Sequence, residues 1–304
     1  AGADALSALL AAGSKAARRR AAKPDLLRPN DDLVFEGGSC PLTALDLSHN
    51  SVSGDGARSL GRALRYHQLL VALDLASNHL GSSGGVHILD ALSQPDEEDV
   101  LAAQAYKEKE YDVDSLEEGS SLHSYASGLK ERAEKAIYYN CTLTQLNLAR
   151  NALGADCAEV LAKVLRRNQC ISSLDLSDNP LLFEAQHLTD ETYVGIFGGT
   201  DVNYQTGEEK DPLCAKRLPL ECFEVLRLYN RSVLKLDLSF VELDEDACFA
   251  IGRYLSYKEC ALVELILSCC NIDANRAEII ANQLAKSYEA PTLVAWDLSR
   301  NPLG

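Results

Sequence analysis

Seven stretches of the chain repeat one spacing of apolar positions: Leu42–Leu45–Leu47, Leu70–Leu73–Leu75, Leu143–Leu146–Leu148, Ile171–Leu174–Leu176, Val233–Leu236–Leu238, Leu262–Leu265–Leu267 and Leu293–Trp296–Leu298. Three residues after each triplet stands Asn50, Asn78, Asn151, Asn179, Val241, Cys270 or Asn301. Two places further on comes another apolar residue: Val52, Leu80, Leu153, Leu181, Leu243, Ile272 or Leu303. The last two apolar residues of a triplet are two apart, so they point to one side of a strand and into a core. Asparagine suits the turn out of that strand, because its amide can satisfy backbone groups left open there. Past the turn the period becomes helical. Ala57–Leu60–Ala63–Leu64 and Cys157–Val160–Leu161–Val164 each predict a helix with one apolar face. A single strand and helix cannot bury that face, so the copies must stack with their strands parallel.

The first apolar positions are 28, 73, 28, 62, 29 and 31 residues apart. Two repeats therefore carry insertions, near 93–124 and 182–212. The first is acidic and has a plausible helix over Val100–Glu110; it reads as a solvated segment. The second is polar, carries Phe183, Tyr193, Phe197 and Tyr204, and is open to two readings, partner contact or a solvated loop. Residues 1–32 read as an Ala-rich capping helix and linker ahead of a repeat domain over 33–304. The chain starts at Ala1, has no Met, and stops just past a strand at Pro302-Leu303-Gly304. It is therefore expected to be part of a longer protein, with that last edge covered by something else.

The spacing of 28–29, the string LxxLDLSxNxL, and the small-residue helix openings (Gly54-Asp55-Gly56-Ala57, Gly154-Ala155-Asp156) resemble the ribonuclease-inhibitor type of leucine-rich repeat. The resemblance covers roughly Leu33 to Gly304. It implies an α/β leucine-rich-repeat solenoid, a horseshoe with parallel strands on the concave face and helices on the convex face. It also implies a protein–protein interaction scaffold in a larger cytoplasmic assembly. Within the family, LDLSHN followed by GARSLGRAL is most similar to the leucine-rich-repeat subunit of the axonemal nexin–dynein regulatory complex, which implies a cilium or flagellum. Two relatives of the same type leave alternatives open: a GTPase activator like the Ran activator, and the sensor domain of a NOD-like receptor.

Charge and chemistry narrow the partner. The net charge is −16, and ten acidic residues against two lysines lie between Asp96 and Glu118. An acidic body argues against duplex nucleic acid, which needs a basic footprint. No run of apolar residues is long enough to span a bilayer, so no membrane partner is expected. There is no phosphate-cradling Gly loop with Lys, no GxSxG and no HExxH, so neither an enzyme, a cofactor nor a small-molecule substrate is expected. The ten cysteines contain no CxxC pair, and several recur at fixed repeat positions, as small buried residues do. Reduced thiols are expected, as in the cytoplasm. Asn140-Cys-Thr142 and Asn230-Arg-Ser232 match glycosylation sequons, but both fall at the loop position before a strand.

Between the core leucines the outward residue is Asp46, Asp74, Asn147, Asp175, Asp237, Ile266 or Asp297. Neighbours in such a row stand about 4.8 Å apart, close enough for carboxylates to repel by about 1 kcal/mol even in water. The serines two residues on (Ser48, Ser177, Ser239, Ser268, Ser299) could offset this by donating hydrogen bonds. Two readings stand side by side: a ladder that belongs to the repeat itself, or a docking groove for a basic partner. The rest of this face is small (Ala44, Ala72, Ala76, Ala149, Ala295), with Phe240 its one large aromatic.

Overall fold

The computed structural model describes residues 42–95, 101, 124–128, 139–179, 218–286 and 292–304. The 1–32 segment, nearly all of 93–124, and the whole of 182–212 with Phe183, Tyr193, Phe197 and Tyr204 lie outside the described residues.

Seven three-residue strands form one sheet in chain order: β1 (Ala44–Asp46), β2 (Ala72–Asp74), β3 (Gln145–Asn147), β4 (Ser173–Asp175), β5 (Lys235–Asp237), β6 (Glu264–Ile266) and β7 (Ala295–Asp297). Every neighbouring pair is parallel, and the register is the same throughout. It aligns Leu45, Leu73, Leu146, Leu174, Leu236, Leu265 and Trp296 in one buried or half-buried row. The expected alternation therefore holds in all seven repeats, and neither insertion shifts it.

Six helices among the described residues pack behind the sheet: α1 (Gly54–Tyr66), α2 (Gly81–Asp90), α3 (Ala155–Arg167), α4 (Leu218–Leu228), α5 (Glu245–Leu255) and α6 (Ala274–Leu284). Their apolar faces, such as Ala57, Leu60, Ala63 and Leu64 of α1, join the strand leucines in one continuous core. Burying each such leucine contributes about 1.5–3 kcal/mol. The helices start differently. Asp244 and Asp273 cap α5 and α6, accepting from the N–H of Ala247 at 2.8 Å and of Arg276 at 2.9 Å. By contrast, α1 opens on Gly54 with no side-chain cap bond. Close packing explains one glycine directly: a Cβ on Gly61 of α1 would collide with the carbonyl oxygen of His87 in α2. Glu224 ties neighbouring helices together, meeting Arg227 at 2.6 Å and Arg253 of α5 at 3.2 Å.

Candidate partner-binding face

The parallel register brings the outward residues together as the sequence predicts: Asp46, Asp74, Asn147, Asp175, Asp237, Ile266 and Asp297 are successive partners across the sheet. Their stabilisation is broader than the one expected. In each of the six polar cases Oδ1 accepts the backbone N–H two residues on, at 2.8 Å from Ser48, Ala76, Ser239 and Ser299 and at 3.0 Å from Ala149 and Ser177. Ala76 and Ala149 serve as well as the serines, so the main chain does the common work. Serine hydroxyls add to it where present, at Asp46, Asp175 and Asp297. This is an Asx turn that closes six of the seven strands, all but β6 with its Ile266. Asn147 fits the row because its Oδ1 makes the same turn while its Nδ2 donates to Asp74 Oδ2 at 3.0 Å.

The ladder is electrically uneven. At its exposed ends hydrogen bonds dominate: the Ser48 hydroxyl and N–H hold the Asp46 carboxyl below its usual range, and the Ser299 N–H and hydroxyl do so for Asp297. In the middle the sign reverses. Burial pushes the Asp175 carboxyl up, against the Ser177 hydrogen bonds, and the charges of Asp237 and Asp74 push the same way.

The next turn is held by the asparagines. Asn179 Nδ2 donates to the carbonyls of Leu148 and Leu176 at 3.0 Å and of Ser177 at 3.2 Å, and its Oδ1 accepts from the N–H of Asn151 and Leu153 at 3.0 Å. One side chain thus stitches two repeats. Cys270 stands in for asparagine, its thiol donating to the Leu238 carbonyl at 3.1 Å, and burial pushes that thiol up to about 12. Just before this position the backbone is left-handed in every repeat: His49, Ser77, Arg150, Asp178, Phe240, Cys269 and Arg300 have φ between 54 and 61°. The cost of that conformation in non-glycine residues is offset in six of them by an N–H donated to the next repeat, as Phe240 to Ser268 at 2.9 Å. Phe240 is thereby held on the rim of the sheet face, 48% exposed.

The sequons have a structural explanation. Asn140 and Asn230 are each 1% exposed. Asn140 Nδ2 donates to the carbonyls of Leu64 and His67, and its Oδ1 accepts from the N–H of Leu143; Asn230 does the same with Leu165, Asn168 and Val233. Asn168 makes a third copy that the sequence reading missed, with Nδ2 on the Leu92 carbonyl. The signal was an asparagine three places before the first apolar position in repeats three, four and five. Among the described residues there is no cluster suited to a metal ion and no helix long and apolar enough to cross a membrane.

The Leucine Rich repeat family model matches residues 38–61, 66–89 and 139–162, which hold the first three strands and more than half of the helix after each. Together with seven in-register parallel strands alternating with helices, this decides the architecture. The chain is a leucine-rich-repeat solenoid. A mouse relative, the NACHT, LRR and PYD domains-containing protein 12, is 27% identical over 281 residues, which is 88% of this chain and 26% of the relative. The Tonsoku-like protein of Bos taurus is 27% identical over 258 residues, 79% of this chain and 16% of the relative. The chain therefore spans about a quarter or less of the length of these curated relatives. Neither is an axonemal protein by name, so the leucine-rich repeat stands and the nexin–dynein resemblance gains no support from them.

Proposed function

We propose that this leucine-rich-repeat solenoid is a non-catalytic scaffold whose sheet face holds a basic segment of a protein partner in a multi-subunit cytoplasmic assembly. One observation carries the reading. The Asx turn needs only an Oδ1 acceptor, and Asn147 meets that need without charge. Five of seven repeats nevertheless carry a carboxylate there: Asp46, Asp74, Asp175, Asp237 and Asp297. The charge exceeds what the turn requires, and a row of like charges favours a complementary cationic partner. Phe240, on the rim, is suited to stack on a basic side chain. The insertion aromatics Phe183, Tyr193, Phe197 and Tyr204 form a second proposed contact, since large aromatics anchor interfaces. An axonemal location is one setting for such a scaffold. The mouse relative favours a second reading, the repeat domain of a multidomain receptor with a NACHT module elsewhere in its chain.

Asp74→Asn, Asp237→Asn and Asp297→Asn together keep every turn acceptor and remove three charges. Quantitative proximity labelling in the native cell should then lose a defined set of neighbours while the thermal melt does not fall. Deleting Thr189–Asp211 in the same assay reads the insertion separately. An unchanged neighbour list for the triple variant would remove the acidic row from the binding face.

A further inference from the structure

A second row runs along the leading edge of the same sheet, formed by the residue before each strand: Thr43, Val71, Thr144, Ser172, Leu234, Val263 and Val294. Backbone bonds join it from repeat to repeat, with Val263 N–H on the Leu234 carbonyl at 2.7 Å and Val294 N–H on that of Val263 at 2.8 Å. Thr and Ser fill this position in repeats one, three and four, so the fold does not need an apolar residue there. Repeats five to seven place three in succession, Leu234 at 43%, Val263 at 39% and Val294 at 83% exposure. A contiguous exposed apolar row marks an interaction surface.

Three residues further along the same strands lie Asp237, Ile266 and Asp297, about 10 Å away at ~3.3 Å per residue. Between the rows, Lys235 and Glu264 neutralise each other at 2.9 Å, and Ala295 is small. The surface is thus apolar on one side, neutral in the middle and acidic on the other. Its metric selects the occupant. Strands stand about 4.8 Å apart, and an α-helix lying across them advances about 5.4 Å per turn, so each turn meets about one repeat. The ~10 Å between rows matches the roughly 10–12 Å width of a helix with side chains. An extended chain presents same-side residues every ~6.6 Å and falls out of step with the repeats.

We propose that repeats five to seven bind an amphipathic helix laid across the strands, with apolar residues on the Leu234–Val263–Val294 edge and Lys or Arg on the Asp237–Asp297 edge. This rests on the acidic-row reading above and gives the partner its shape. The probe is a synthetic peptide of about 18 residues, long enough to be helical in water, with Leu at i, i+4, i+7 and i+11 and Lys along one flank. A scrambled peptide of the same composition is the control, and binding to the whole chain is followed by fluorescence anisotropy. The patterned peptide should bind about tenfold tighter than the scrambled one. Val263→Ser with Val294→Ser, both on exposed sites and checked for an unchanged melt, should remove most of that preference. Equal binding of the two peptides, or indifference to the valine changes, overturns the helix. If Asp237→Asn with Asp297→Asn still weakens binding in that case, the acidic-row reading survives alone; if it does not, both fall.

Discussion

Asp175 sits in the middle of the ladder, between Asn147 and Asp237 on the neighbouring strands. Its carboxyl is pushed above the ordinary value by burial, then by its neighbours' charges, and its native turn needs only the Oδ1 acceptor. A raised carboxyl pKa means that ionisation opposes folding. The penalty is fully present above the folded pKa and disappears as pH falls below the unfolded value of about 3.9. Asp175→Asn should therefore raise the melting temperature at pH 7, by about 1–3 °C for a chain of this size. The gain should vanish near pH 3. A variant that melts lower at pH 7 would mean that the ionised group makes a native contact worth more than its desolvation.

At the scale of the turn, one asparagine does the work of several backbone pairings. Asn179 satisfies three carbonyls and two N–H groups across two repeats. Removing it by Asn179→Ala leaves the Leu176 carbonyl and the N–H groups of Asn151 and Leu153 without their partner, at a cost of about 3–5 kcal/mol. The Leu148 and Ser177 carbonyls keep the Asn151 amide and the Arg150 N–H. Denaturant melts should register it as a lower midpoint, and a change below 1 kcal/mol would show that water replaces the amide. Strand order, register and the helical faces were legible in the sequence, because a period of two repeated seven times, with a period of 3.6 between the copies, leaves one way to bury Leu73, Leu146 and Leu174. The polar Asp ladder was legible as a row with serine hydroxyls bonding Asp46, Asp175 and Asp297, but the main-chain bond common to all six polar positions was not. Main-chain donors carry no letter in the sequence, so only Ala76 and Ala149, holding the same bond without a hydroxyl, reveal them. The Leu234–Val263–Val294 row was overlooked for a related reason: it falls outside both periodicities, at the junction where loop becomes strand.

Across the whole molecule, the net charge is −16, with ten acidic residues against two lysines between Asp96 and Glu118. Self-repulsion of this size is screened as salt rises, the Debye length falling from about 30 Å at 0.01 M to about 8 Å at 0.15 M. The melting temperature should therefore climb between those salt concentrations, while affinity for the Lys-flanked peptide falls over the same range. A melting temperature that drops with salt would mean that ion pairs such as Arg65–Asp90 and Arg231–Glu259 outweigh the net charge.

The left-handed position has a consequence for how such a molecule can diversify. Its backbone conformation is the same in seven repeats, and its hydrogen bond to the neighbouring repeat uses only main-chain atoms. The side chain there takes no part in that bond, and the seven examples are His, Ser, Arg, Asp, Phe, Cys and Arg, with Arg150 and Asp178 paired at 3.2 Å. Each repeat thus contributes one freely chosen letter at a fixed address along the rim. Rewriting the text is open to any residue that tolerates the left-handed backbone, β-branched ones least, which leaves the message at this column open to selection by whatever reads it.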